Sequence, residues 1–367
     1  MVLVLSTVAL YVITSFLFRS FSDRRVELGK EFAVSGQQAL RQGDAEQAVH
    51  DLRLSLSYAP DVMGNRLLLA EALAQAHHPD QANGYFLGLL DEQPADGFLN
   101  LQLARLARQR NDTQAALDYY RAAAVGNWNA DSLDRRFNAQ LELAEYLIDL
   151  GDLPSARAEL LIAAADAPED ASVKTALGKD FERASDPTDA LKLYQTAIKL
   201  NPEESDALFN AGRVAYETGD YSTAIRLLSL ARRTGSRATL GEKEANEAEH
   251  LLENSRRIQE LTLSSNMPSQ TRVEHILRAL PIAQARFESC SAQKAAQLPS
   301  ALQNLEGNWS DAETIAKHRS SLDDAAQQQN LVSLIFETEQ VTAQFCGAPS
   351  GDDLLLLQLA NSPGEGQ

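Results

Sequence analysis

Cysteine is nearly missing from this chain, with two in 367 residues, so at most one intramolecular disulfide can form, between Cys290 and Cys346. Histidine is sparse too. His50, His77, His78, His250, His275 and His318 are scattered, with no HExxH, no histidine spaced against a cysteine and no glycine loop suited to cradling phosphate. The common sequence marks of metalloproteases, thiol nucleophiles and nucleotide binders are therefore lacking. Basic residues are in deficit, 33 against 51 acidic ones, for a formal net charge of -18 at pH 7. Nucleic-acid binding draws on clustered Lys and Arg, so a phosphate-backbone partner is disfavoured. No long run of one sign occurs, and a net charge of this kind serves solubility before it selects a partner. Long apolar runs are scarce: residues 354–360 are too short to span a bilayer, and 2–18 form the one run that is long enough.

What is present is repetition. A small residue is followed twelve places later by alanine six times on a 34-residue ruler: Gly36 and Ala48, Ala70 and Ala82, Ala104 and Ala116, Ala144 and Ala156, Gly178 and Ala190, Gly212 and Ala224. The same ruler catches Pro60, Pro94, Pro168 and Pro202, with Trp128 and Ser236 in the two other slots. Each copy reads as two amphipathic helices around a turn. In the fourth, Leu141, Leu143, Ala144, Leu147 and Ile148 recur at helical spacing, Gly151-Asp152 interrupts, and Ala156, Leu160, Leu161 and Ala164 resume. The turn slot also holds Gly43-Asp44, Asn111-Asp112, Ser185-Asp186 and Gly219-Asp220. Glycine tolerates the left-handed conformation that ends a helix, and aspartate accepts from the free amides that start the next. Small residues at the paired positions let two helix axes approach, while Phe86, Tyr120, Leu160, Tyr194 and Leu228 fill one equivalent large slot.

Residues 29–238 thus resemble the tetratricopeptide repeat family, in copies 29–62, 63–96, 97–130, 137–170, 171–204 and 205–238. An insertion at 131–136 either lengthens a helix or bulges a loop. The second copy departs from the pattern with His77-His78-Pro79 at its turn, and the third ends on Trp128. The resemblance implies an all-α, right-handed solenoid of six helix-turn-helix repeats; the residues beyond it read as a capping helix at 239–263, a small helical domain at 264–361 and a disordered tail at 362–367. It also implies that the first helix of each repeat lines a concave face, here through Glu71, Leu101, Arg105, Arg108, Leu141, Glu145, Lys179, Glu182, Phe209, Arg213 and Tyr216. Mixed charges interleaved with apolar residues suit an extended peptide or a partner helix; a merely solvated groove is the plainer reading. The carboxylate-clamp version of the family wants Lys and Asn where this chain has Ala33, Gln37, Leu67 and Glu71, so a chaperone tail is not the expected ligand.

Residues 2–18, closed by Arg19, Arg24 and Arg25, read as a single-pass membrane anchor within 1–21, contacting the lipid bilayer and preferred over a cleaved signal peptide or a buried helix. Basic residues after the span put the body in the cytoplasm by the positive-inside rule. A Cys290–Cys346 disulfide would instead place it in an oxidising, extracytoplasmic compartment, whereas two buried thiols would not; the balance leans extracytoplasmic. Beyond the repeats, one charged helix is expected from 237 to 263, then helices at 271–289, several short ones between 299 and 319, one at 322–345, and a docked helix at 354–360 capped by Asp352 or Asp353.

A membrane-tethered, non-enzymatic scaffold for protein or peptide partners is the leading functional expectation, with no cofactor, metal or small-molecule substrate indicated. The alternative is an enzyme or ligand-binding protein with its site in the C-terminal domain, motivated by Cys290, Cys346 and His275, the repeats recruiting substrate. An oligomerisation module is a third. His77-His78 reads as an exposed turn rather than a metal site, and 346–351 as a turn rather than a nucleophile loop.

Overall fold

The protein is described by a computed structural model covering residues 2–128, 133–234, 240–295, 297–317 and 322–362; the side chains of 2–10, 12, 13, 17, 133, 313, 316 and 317 also lie outside the description. The described residues form seventeen helices and no strand. In order these are α1 Val2–Gln42, α2 Ala45–Tyr58, α3 Met63–Gln75, α4 Pro79–Glu92, α5 Gly97–Gln109, α6 Thr113–Val125, α7 Leu133–Asp149 and α8 Leu153–Asp166. There follow α9 Ala171–Arg183, α10 Pro187–Leu200, α11 Ser205–Glu217, α12 Tyr221–Thr234, α13 Glu242–Leu261, α14 Ser269–Gln293, α15 Ser300–Lys317, α16 Ala325–Cys346 and α17 Asp352–Ala360. The chain divides into two compact units, 1–167 and 168–367. The architecture is all-α: unit 1 holds the helix-turn-helix repeats α1/α2 to α7/α8, and unit 2 holds α9/α10 and α11/α12 followed by five further helices.

The paired small residues are the contact points within each repeat. Ala48, Ala70, Ala82, Ala104, Ala116, Ala144, Ala156, Ala190 and Ala224 are fully buried. A Cβ added at Gly36 would lie 2.6 Å from Leu52 Cγ, one at Gly178 2.4 Å from Tyr194 Cε1, and one at Gly212 2.7 Å from Leu228 Cγ. In these three repeats the large slot of the second helix therefore seats on the glycine of the first more closely than a Cβ would permit.

The six turns share one backbone solution. Gly43, His77, Asn111, Gly151, Ser185 and Gly219 all have φ between 57° and 83°. The aspartates that follow cap the next helix: Asp44 accepts from the Gln47 amide, Asp112 from Ala115, Asp152 from Ser155, Asp186 from Asp189 and Asp220 from Thr223. The second copy keeps this geometry without either usual residue: His77 turns left-handed and Pro79 opens α4, where its missing N–H costs nothing.

The third repeat ends differently from the proline-terminated copies. The Trp128 indole donates to the Ala123 carbonyl at 2.9 Å, and its ring occupies the space a Cβ on Gly97 would need. The Gly97 amide donates to Asn127 O, and the Asn127 amide to Ala95 O, making an isolated parallel bridge. The tryptophan thus replaces proline as the stop by clamping the loop before α5. Of the insertion, 133–136 lengthen α7 to 17 residues against 13 in α5; 131 and 132 lie outside the described residues.

Past the repeats the structure corrects three expectations. Residues 299–319 hold one helix, α15, rather than several short ones, and 318–321 lie outside the description. The first residue of α13 is Glu242; 235–239, including Ser236, lie outside the description, as do 363–367 of the expected tail. The helix at 352–360 has Gly351 at its N-cap and so no side-chain cap; Asp352, its first residue, accepts from Arg257. The packed core of this region joins Ile258 and Leu261 of α13 to Ile276, Ala283 and Phe287 of α14, Leu302 and Trp309 of α15, Ile335 and Phe336 of α16, and Leu356 and Leu359 of α17. Tyr216 and Tyr221 of the sixth repeat pack against it.

At the other end, α1 is a single 41-residue helix whose later turns form the first repeat, with Gly36 on Leu52. Ahead of that repeat Tyr11, Phe16, Phe18 and Phe21 are each more than 70% exposed. Among the described residues no helix is long and apolar enough to cross a membrane; the expected span 2–18 falls largely on side chains outside the description.

Candidate protein-binding faces

In unit 1 the first helices α3, α5 and α7 carry the expected face. Arg105 forks onto the Glu142 carboxylate of α7, its Nε donating at 2.9 Å, and this bond holds the guanidinium firmly protonated. Arg108 Nη2 donates to Asp149 at 2.7 Å while its guanidinium carbon sits 5.1 Å from the centre of the Tyr146 ring, which in turn tilts against Tyr120. Glu71 is half-buried, and burial pushes its carboxyl above the usual range with Arg135 opposing. Leu141 and Glu145 are also half-exposed. Leu101 is not on an open face: it is 4% exposed.

Unit 2 repeats the design on α9 and α11. Lys179 Nζ donates to Asp206 at 2.7 Å. Glu182 accepts on one oxygen from the Tyr194 hydroxyl and on the other from Arg213, which also holds Glu217 at 2.8 Å. Burial and the Glu182 carboxylate together push the Tyr194 hydroxyl far above its usual range, so it stays protonated and donates to Glu182. Phe209 is 5% exposed and belongs to the core, the same register position as Leu101 once the insertion is counted. Tyr216 is half-buried: its hydroxyl donates to Gln358 Oε1 of α17 at 3.3 Å, and its ring meets Tyr221 edge-on.

Five of the expected side chains, Arg105, Arg108, Lys179, Glu182 and Arg213, thus pair across adjacent repeats. Their partners Glu142, Asp149 and Asp206 went unnoticed in the sequence. A signal existed: Arg105 and Glu142 are 37 residues apart and Glu182 and Arg213 31, each one repeat less three once the insertion is allowed for. Opposite charges at that offset face each other across stacked first helices.

The groups that motivated an enzymatic reading are engaged elsewhere. Cys290 and Cys346 are joined as a disulfide, Cα to Cα 5.7 Å, tying the last turn of α14 to the end of α16. His275 is buried with Nδ1 2.8 Å from the Thr262 carbonyl, and neighbouring Arg272 donates to Leu263 O. Both bonds hold the start of the α13–α14 loop against α14. His77 and His78 lie at a turn, and among the described residues no cluster of three or more His, Cys, Asp or Glu could hold a metal.

Comparison with known families matches residues 175–238 to the tetratricopeptide repeat model, covering the fifth and sixth repeats. A curated relative, cellulose synthase operon protein C of Xanthomonas axonopodis pv. citri, is 24% identical over 188 residues; the match spans 51% of this chain and 12% of that protein. Among solved structures, pilF of Pseudomonas aeruginosa aligns at TM-score 0.44 and 16% identity, over 62% of this chain and 98% of that one. YrrB, described as a tetratricopeptide repeat protein with an unusual peptide-binding site, aligns at TM-score 0.42 and 15% identity, over 54% and 97%.

Proposed function

We propose that this tetratricopeptide repeat protein is a non-enzymatic scaffold that holds segments of partner proteins on the first-helix faces of its repeats. The observation that carries the reading is the face of α3, α5 and α7, where half-exposed Glu71, Arg105, Arg108, Leu141 and Glu145 put both charges and an apolar side chain on stacked helices. Its arginines are held in fixed positions by carboxylates, so a partner meets an ordered pattern of charge rather than mobile side chains, which favours selectivity. An extended peptide or helix carrying its own mixed charges fits this chemistry. Membrane attachment through 2–18 belongs to the same reading, supported by the apolar sequence and by the exposed aromatics Tyr11, Phe16 and Phe18 within it and Phe21 just after it. An extracytoplasmic body is supported by the Cys290–Cys346 bond, since oxidising compartments keep disulfides. The relative's name supplies one partner class to try, other products of a cellulose synthase operon.

The test compares partners recovered with wild-type protein and with Glu71→Lys/Glu145→Lys, alongside an α4 control, Tyr85→Lys. The reading expects a defined set of partners to be lost only in the first variant. Recovery unchanged in both would overturn it. Impermeant thiol labelling in intact cells checks the compartment: reaction only after reduction supports an outside body, and reaction only after lysis without reductant contradicts it.

A further inference from the structure

The C-terminal unit contains a buried acid that the binding reading does not use. Glu339, in the middle of α16, is 0% exposed, and neither carboxylate oxygen has a hydrogen-bond partner. Its ionisable neighbour is Asp353, in the first turn of α17, whose Oδ1 is likewise buried and unpartnered. Two ionised carboxylates are acceptors only, so neither can satisfy the other. One proton held between them supplies the missing donor and removes a like-charge contact from an apolar interior.

Around this pair, α14 contributes Arg286, whose Nη2 donates to Gly347 O at 2.7 Å and whose Nε reaches Thr342 Oγ1 at 3.4 Å. Its charge favours ionised carboxylates, while the two hydrogen bonds it makes go to those oxygens and not to Glu339. On the α15 side, α16 meets the neutral Trp309 indole, which donates to Thr338. Asp352 of α17 is taken by Arg257 of α13, through Nε at 3.0 Å and Nη2 at 2.7 Å. Burial first, then Asp353, push the Glu339 carboxyl up to about 8, and burial raises Asp353 as well.

We infer that α17 is a proton-held latch: it docks on α16 while Glu339 and Asp353 share a proton and lets go when that proton is lost. The helix is nine residues long, its buried contacts are Leu355, Leu356 and Leu359, and its other ties are the Arg257 fork, the Tyr216–Gln358 bond and the Gln340 amide donating to Ala360 O and Asn361 Oδ1 at its far end. Its release uncovers Tyr216 at the sixth repeat together with the apolar seat beneath α17. Mild alkalinity therefore opens a surface that neutral or acidic conditions keep shut.

Amide hydrogen exchange on the full chain with its disulfide intact tests this, read as protection factors normalised for intrinsic exchange between pH 5.5 and 8.5. Protection of 355–360 is expected to fall by up to tenfold per pH unit as the proton is lost, while the amides of α14 keep theirs. In Glu339→Gln and, independently, in Asp353→Asn, the α17 profile is expected to flatten. Asp353 is only half-buried, so its variant carries the test if Glu339→Gln folds poorly. A flat wild-type profile, a slope that survives in Asp353→Asn, or α14 losing protection in step with α17 would overturn the latch.

Discussion

Replacing Gly178 by alanine probes the contact on which each repeat is built. The added Cβ would lie 2.4, 2.8 and 2.9 Å from Cε1, Cδ1 and Cζ of Tyr194, so the ring must retreat by about 1 Å to reach ordinary contact. Tyr194 is fully buried, and its hydroxyl is tied to Glu182, itself held by Arg213. Overpacking of this kind costs about 1–3 kcal/mol, and disturbing the hydroxyl bond to a charged group adds about 1–2. Alanine's helix preference over glycine returns about 1 kcal/mol. The net loss is about 2 kcal/mol, or a fall in melting temperature of roughly 4–8 °C for a unit of this size. Gly307 of α15 is the matched control, helical and with nothing within 4 Å of an added Cβ. There alanine should gain about 0.5–1 kcal/mol. Thermal unfolding of both variants followed by circular dichroism decides it. Should Gly178→Ala melt at or above the wild type, the small-on-large packing rule for these repeats is wrong.

Further outcomes follow from the same geometry. Cys290→Ser/Cys346→Ser removes a bond spanning 56 residues and should lower the stability of the C-terminal unit by about 2–4 kcal/mol in urea titrations, leaving the repeats of unit 1 unaffected. Trp128→Ala takes away both the donor to Ala123 and the ring over Gly97; a loss of about 3 kcal/mol, with early exchange of the 95–97 amides, is expected. The raised carboxyl of Glu339 gives a definite pH slope. Its stabilising contribution is complete below the ordinary value of 4.5 and is lost as pH rises through about 8. Unit 2 should therefore weaken with rising pH by at most about 1.4 kcal/mol per unit from this group, and Glu339→Gln should remove that slope in urea titrations at pH 5 and 8.

Most of the repeat architecture was legible in the sequence because it rests on residue size and backbone geometry. Small residues at fixed intervals and aspartates after left-handed turns report local contacts, and local contacts recur with the period. His77 and Trp128 looked like breaks in the pattern, yet each performs the same local task with different chemistry. The binding face was legible only in part. Helical register brings Leu101 and Phe209 to the first helix, but whether that position is open depends on the neighbouring helix, and there both are core. Tyr216 is partly covered by α17, which lies more than a hundred residues further along the chain; no period could announce that. Glu339 left no signal at all, being one of two acids in a glutamine-rich helix, and its significance comes from Asp353 across the packing interface.

The central claim is that the first-helix faces of the repeats hold the partner. Photo-crosslinking residues placed at Glu71 and Glu145, and on the exposed face of α4 at Tyr85, test it directly in cells. Discrete adducts from positions 71 and 145 and none from 85 are predicted. Adducts from position 85 alone would put the partner on the opposite helices and contradict the account.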